Sequence, residues 1–403
     1  MQTSTQATAA DGACKSQTGL PLSVIGTLAF LTVVDLFAAQ AILPALTSHY
    51  SVLPSQMAVA VNASTVGMAT SSVLVALFNR SIPRRTGIIW SLLILTLPTA
   101  ALAHAANLVE FTALRIIQGL LMACAFSLTL AYLGERTPAR TMTTAFAAYI
   151  AGNVASNLIG RFVAASVTDH FGLADTFYTL AALNLAGAVL ACVSLSGMAL
   201  ENESTATMPR ARLASHITNP PLLLAFAIGF LILFVFIGTF SFINFKLASP
   251  PLSASMAGIG YTYAVFAPSI LTTLAAGLAV QRWGTRRALW LGFATAAIGL
   301  PLILAQNITA ILVGMSLVAA GTFFAQGTVT GFVSRTATSD RGAASGLYLA
   351  SYFLGGITGA AVLGRVFDTF GWTATVAGIA IAVTLAILLT FKLTEATDKP
   401  HHP

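Results

Sequence analysis

The sequence predicts an all-α polytopic membrane protein, with twelve transmembrane helices in two six-helix bundles. Three observations carry this. The chain is 57% hydrophobic and only 8% charged over 403 residues, with a mean hydropathy of +0.85, so charge is too scarce to cover a water-facing surface. Its apolar residues come in runs long enough to cross a bilayer core of ~30 Å, which takes ~20 residues per helix. A compact basic turn with Arg80, Arg84 and Arg85 returns 202 residues later as Arg282, Arg286 and Arg287, and a signal that recurs at half the chain length reads as duplication. The alternating ten-residue strands of an outer-membrane barrel are absent from the pattern.

Taken in order, residues 1–21 are polar and rich in Thr, Ala and Gln, without the charged start and short apolar core of a signal peptide. They are expected to form a cytoplasmic tail. Six apolar runs follow, at roughly 22–44, 57–78, 87–104, 108–133, 142–168 and 175–197, which make an N-terminal bundle over 22–197. A polar linker at 198–220 carries Glu201, Asn202, Glu203, Pro209, Arg210 and Arg212. Six further runs, at roughly 221–246, 254–280, 288–305, 309–334, 342–366 and 372–392, make a C-terminal bundle over 221–392. Residues 393–403 form the second tail.

Of the nineteen Lys and Arg, all but Arg115, Arg161, Lys246 and Arg365 fall at one set of alternate helix ends. This is the positive-inside pattern. It places both termini and the linker on the cytoplasmic side of the membrane. The same distribution argues against nucleic acid as a partner despite a sequence pI near 9.6, because membrane topology accounts for these charges. Cys14, Cys124 and Cys192 show no paired spacing, and the last two sit in apolar runs as small packing residues. No His pair has ligand spacing, so neither metal nor cofactor is expected. A phosphate-binding glycine loop is missing. So are paired buried acids, buried His or a Ser-His set, and an enzyme is therefore not expected.

A second echo supports duplication. At an offset of 199, Tyr149 matches Tyr348, Gly160 matches Gly359, Asp169 matches Asp368, and Phe171-Gly172 matches Phe370-Gly371. The fifth and eleventh spans read as copies.

The second basic turn runs Gly277, three residues, Gln281, Arg282, Trp283, Gly284, then Arg286 and Arg287. The fourth span carries Arg115, Ile116, Ile117, Gln118 and Gly119. With these motifs nearly the whole chain resembles the major facilitator superfamily, in particular twelve-helix drug:proton antiporters. In that superfamily the basic turn holds an Asp where this chain has Gln281 and Asn79, and Val75 and Ile82 stand for the glycines of the first copy. The resemblance implies a cytoplasmic latch between the bundles, formed by Asn79, Arg80, Arg84, Arg85, Gly277, Gln281, Arg282, Gly284, Arg286 and Arg287. Alternatively, these arginines only set topology. The superfamily's antiporter motif in the fifth span keeps Gly152 and Gly160 here, with Ser156-Asn157 for Gly-Pro and Arg161 for the last Gly.

Asp35 is the one acid well inside a span, ~20 Å from the inner end of the first helix at 1.5 Å per residue. Arg115 lies ~10 Å from the outer end of the fourth helix, so the two depths agree. Intramembrane ionisable groups are functional by default. Asp35 and Arg115 are expected to face one cavity, with Asp35 taking up and releasing protons; a static buried ion pair is the alternative. The substrate cavity is expected to draw on Gln118, Tyr149, Asn153, Asn157, Asn244 and Gln326. Interhelical hydrogen bonding is the other reading of the Asn153, Asn157 and Arg161 stripe. Gly152, Ser156, Gly160 and Gly359 are expected to let helices approach closely.

The expected activity is proton-coupled efflux of a small organic solute or drug by alternating access. Proton-linked uptake or passive facilitation of a metabolite such as a sugar or organic acid remains open. Small-molecule substrate, protons and the lipid bilayer are the expected partners, and one chain is expected to work as a monomer.

Overall fold

The computed structural model describes residues 20–78, 82–137, 139–195, 216–337 and 341–393. Asn79 and Arg80 of the first basic turn, almost all of both tails, and most of the linker lie outside these residues.

The described chain is helical throughout. We number the passes α1 (Leu22–Ala41), α2 (Pro54–Asn62 and Ser64–Phe78), α3 (Arg84–Ala101), α4 (Leu108–Arg136), α5 (Ala139–Ala155, Ser156–Gly160 and Arg161–Phe171), α6 (Leu173–Ser194) and α7 (Pro220–Ala248). A short helix, Leu43–Tyr50, links α1 to α2. Among the described residues, nine helical stretches are long and apolar enough to cross a membrane. Two of these, Met256–Leu302 and Gly342–Phe391, run to 47 and 50 residues, far more than one pass needs at 1.5 Å per residue.

Each long stretch folds back at a glycine. Gly284 has φ 79° and ψ 162°, and Gly371 has φ 77° and ψ −172°, conformations that an L side chain rarely adopts. They divide the stretches into α8 (256–283) and α9 (285–302), then α11 (341–370) and α12 (372–391); α10 is Ile308–Thr336. The reversals show in the packing. A Cβ on Gly378 would meet Leu363 Cδ2 at 2.8 Å, and the pairs Gly292 with Gly321 and Gly299 with Gly314 bring α9 and α10 together antiparallel. With α5, which carries Asn153, Asn157 and Arg161, the count reaches twelve.

The duplication is visible in two crossings. A Cβ on Gly160 of α5 would lie 2.8 Å from Val34 Cγ2 of α1, and one on Gly359 of α11 would lie 2.7 Å from the Phe234 carbonyl of α7. Gly152 crosses at the Gly26 carbonyl (2.0 Å) and Gly355 at the Phe230 carbonyl (2.0 Å). Thus α1·α5 in the first bundle and α7·α11 in the second use the same device, small residues that admit a neighbouring backbone. Ser156 is buried beside them, its hydroxyl turned back to the Asn153 carbonyl at 2.6 Å.

The bundles meet along α2·α11 and α5·α8. Gly346 sits against Ala76 and Ser72, Gly356 against Thr65, and Gly364 against Ser55, so α2 and α11 touch along their full length. At the end away from the termini, the Asp368 carboxylate accepts from the Ser55 backbone N–H at 3.3 Å. It tops the first turn of α2 from the other bundle, where the helix dipole favours an anion.

Candidate functional site

Two buried polar clusters lie on opposite faces of α1. Asp35 is separated from Val33 and from Phe37 by two residues each, ~200° around a helix of 3.6 residues per turn. Asp35 therefore turns into the N-terminal bundle, while Val33, Phe37 and Gln40 turn toward the C-terminal one.

The first cluster surrounds the Asp35 carboxylate. Its Oδ2 accepts from Asn184 Nδ2 at 2.7 Å, Thr99 Oγ1 at 2.9 Å and Gln118 Nε2 at 3.2 Å. Its Oδ1 has no hydrogen-bond partner, nor does Asn184 Oδ1. Arg115 does not pair with the carboxylate. Its Nη1 donates to the Asp35 backbone carbonyl at 3.2 Å and to Gln118 Oε1 at 2.8 Å, its Nε to the Val61 carbonyl at 2.8 Å, and its Nη2 to Ser64 Oγ at 3.1 Å. The setting is local: α2 breaks at Ala63, and the guanidinium reaches the Val61 carbonyl just before that break, where the Ser64 hydroxyl also donates at 3.4 Å. Gln118 links the two charges, donating to Asp35 and Thr99 and accepting from Arg115.

The expectation of one shared cavity is thus corrected. Asp35, Arg115 and Gln118 form a closed cluster of α1, α3, α4 and α6, and none of the three lines the cleft between the bundles. Thr99 and Asn184 were not anticipated; Asn184, an isolated amide in an otherwise apolar sixth run, was the available signal.

The cleft is narrow, with a cavity volume of about 40 Å³, and is lined by Val33, Phe37, Asn153, Phe236, Phe323 and Gln326 among others. Of the expected cavity residues, Asn153 and Gln326 lie there. Tyr149 packs on Phe126 and donates to its carbonyl at 3.2 Å. Asn244 belongs to the second cluster, whereas Asn157, buried one turn before Arg161 in α5, has no hydrogen-bond partner on either amide atom.

That second cluster is an inter-bundle seal on the side opposite the termini. Arg161 Nη2 donates to Gln40 Oε1; Gln40 Nε2 donates to Asn62 Oδ1 at 2.8 Å; and Asn62 Nδ2 donates to Ala58 O at 2.8 Å and Ser241 Oγ at 3.3 Å. Asn244 Nδ2 donates to the Gln40 backbone carbonyl at 2.7 Å, and the Tyr263 hydroxyl donates to Asn244 Oδ1. Helices α5, α1, α2, α7 and α8 are stitched together in this way, and none of these residues is more than 1% exposed. Gln40 and Asn62 were also unforeseen.

The basic turns act within their own bundles. Arg84 pairs with Glu135 of α4 at 2.8 Å, the one ion pair among the described residues. Arg286 Nη2 donates to the Leu393 carbonyl at 2.9 Å, at the end of α12. Gln281, Arg282 and Arg287 are exposed, while a Cβ on Gly277 would meet nothing within 4 Å. The bonds at Arg84 and Arg286 both stay within one bundle.

Two helical bundles closing on a narrow central cleft, sealed at one end by a polar network drawn from both, form a polytopic membrane transporter. The chain belongs to the Major Facilitator Superfamily, whose profile matches residues 25–260 and 240–403. Among its relatives are YybF, an uncharacterized MFS-type transporter of Bacillus subtilis (23% identical over 92% of each chain), and YnfM, an inner membrane transport protein of Escherichia coli (24% identical over 89% of this chain and 86% of that one). The fold is similar to that of the nucleoside transporter NupG, with a TM-score of 0.74 at 13% identity, covering 93% of this chain and 99% of that one. It also resembles a bacterial homologue of the lysosomal transporter Spinster, solved inward-facing, with a TM-score of 0.71 at 13% identity, covering 92% and 96%.

Proposed function

We propose that the chain is a proton-coupled exporter of the bacterial inner membrane, moving a small organic solute outward as protons flow inward. The units that rock about the cleft are residues 22–197 and 221–392, with both termini in the cytoplasm, and one chain holds the whole pathway. The observation that carries this reading is the Asp35 carboxylate. It is the one acid well inside a span among the described residues, it is held by three donors, and its Oδ1 and the Oδ1 of Asn184 are both bare acceptors on groups already bonded to each other. A proton on Asp35 turns one of these acceptors into a donor, and Asn184 offers the acceptor. Arg115, Gln118 and Thr99 position the carboxylate, so its loading is felt at the break in α2 through Val61 and Ser64. The outward end of the path is the seal around Gln40, Asn62 and Asn244.

The test is solute-dependent collapse of a preset pH gradient in sealed vesicles. Wild type is expected to collapse it with at least one of a set of cationic, neutral and anionic solutes, and Asp35→Asn to move the same labelled solute without proton movement. Gradient collapse by Asp35→Asn at the wild-type rate would remove Asp35 from the coupling role.

A further inference from the structure

We infer that Arg161 is the anchor of an anion-binding subsite at the far end of the cleft, and that the transported solute is an organic carboxylate with an apolar or aromatic body. This deepens the proposal that the chain is a solute carrier and rests on it.

Arg161 is wholly buried in the fifth helix, midway through the inter-bundle seal. Among the described residues no acid pairs with it; the acid well inside a span, Asp35, faces the other side of α1. One nitrogen, Nη2, donates to a neutral amide, that of Gln40, and the Tyr263 hydroxyl is the other polar group beside the guanidinium. Nε and Nη1 have no hydrogen-bond partner, which leaves three N–H donors unanswered. One turn below, both amide atoms of Asn157 are equally without partners. Burying a cation costs several kcal/mol unless it is paired and hydrogen-bonded, and a protein-supplied partner would have been the simpler arrangement.

What surrounds the charge is aromatic. The guanidinium carbon lies 4.4 Å from the Tyr263 ring centroid, 5.2 Å from Phe266, 5.7 Å from Phe37 and from Phe240, and 5.8 Å from Phe236. These rings come from both bundles. Their faces give part of the stabilisation that hydration would have given, but the four phenylalanine rings accept no in-plane N–H. The site thus tolerates the charge while leaving its hydrogen-bonding capacity for something else.

Access follows from the same residues. Phe37 and Phe236 line the cleft as well as the guanidinium, so two rings separate a solute in the cleft from Arg161. Asn153 is on the cleft wall, and Asn157 and Arg161 continue its stripe at four-residue steps into the seal. Between Asn157 and Arg161 the helix widens into a π turn, Ser156–Gly160, a distortion that recurs at functional sites. A carboxylate moving along this stripe meets the Asn157 amide and then the free N–H groups of Arg161. Two oxygens on a planar group suit a guanidinium edge, and the body of the solute stays among Phe37, Phe236 and Phe323. Engaging Arg161 also competes with its bond to Gln40, the residue through which the seal holds α1 to α2 and α7.

The test uses the full-length chain in lipid nanodiscs and three probes of one shape: 2-naphthoate, its neutral carboxamide, and 2-naphthylmethylammonium. Wild type is expected to bind the carboxylate at least tenfold more tightly than the carboxamide and to show no preference for the ammonium. Arg161→Gln should bind carboxylate and carboxamide alike, and Arg161→Lys should keep part of the preference, since the charge remains and the planar fork is lost. Lys246→Gln, which removes a positive charge at the far end of α7, should bind as wild type does. Equal binding of carboxylate and carboxamide by wild type, an unchanged preference in Arg161→Gln, or no carboxylate binding by the folded protein overturns the inference. Flux of the same probes in proteoliposomes separates this from the carrier reading. Movement of the amide or ammonium alone keeps a carrier and removes the anion site, whereas Arg161-dependent carboxylate binding without flux keeps the site and removes the carrier.

Discussion

The Asn244 side chain of α7 donates to the backbone carbonyl of Gln40 in α1 at 2.7 Å, an oxygen that α1 cannot use itself. The helical donor for that carbonyl would be the N–H four residues on, and that residue is Pro44, which has none. One proline thus provides a backbone acceptor in the first bundle for a side chain of the second. The bond forms part of the seal and must break whenever the bundles separate on that side.

Asn244→Leu is therefore expected to loosen the seal. The net worth of one such bond is about 1 kcal/mol, or roughly a fivefold rise in the population of separated states. In a background without Cys14, Cys124 and Cys192, a cysteine placed at Ser241 should react with a membrane-impermeant maleimide about fivefold faster when Asn244→Leu is present. An unchanged rate would mean that the bond does not hold the bundles together.

The glycines divide into two groups that stability measurements can tell apart. A Cβ on Gly119 would sit 1.8 Å from the Ser64 carbonyl oxygen, so Gly119→Ala must push α4 from α2 and should cost about 1–3 kcal/mol. Gly284→Ala should cost a similar amount for a different reason, a positive φ paired with extended ψ that only glycine adopts at ease. Gly277→Ala, with open space around the added methyl, should not lower the melting temperature in detergent. A drop there equal to that of Gly119→Ala would contradict the crossing geometry.

The Arg84 and Glu135 pair is half open to water on the acidic side, with the Glu135 side chain 50% exposed. Exposed pairs contribute ~0–1 kcal/mol. Arg84→Ala should leave thermal stability within that range at low salt and indistinguishable from wild type at 1 M salt, where the Debye length falls to about 3 Å. A loss of several kcal/mol would show that the first basic turn carries a structural load that its geometry does not reveal.

The number of passes, their order and the duplicated crossings were legible in the sequence because length and hydropathy fix them. Depth was legible too: Asp35 and Arg115 do lie in one layer. Which neighbours they meet was not. A membrane helix is apolar on every side, so periodicity carries no signal for the facing direction, and Asp35 could be assigned to the cleft as readily as to its own bundle. The break at Ala63, beside which Arg115 reaches the Val61 carbonyl, leaves no mark in composition. Asn184, Thr99, Gln40 and Asn62 are single polar residues in apolar runs, and only the folded arrangement shows that each completes a cluster begun elsewhere. Arg161 stood out as a charge, but its ring of aromatics is assembled from α1, α7 and α8, far apart along the chain.

The placement of Asp35 and Phe37 on opposite sides of α1 has a consequence for how two cargoes share one protein. In the proposed proton-coupled carrier, the proton would be held inside one bundle and the solute between the two, so neither would have to leave before the other arrives, and both could be aboard together. Their exchange is then enforced by the tilt of a single rod rather than by rivalry for a common seat, so a variant blind to one cargo should still hold the other.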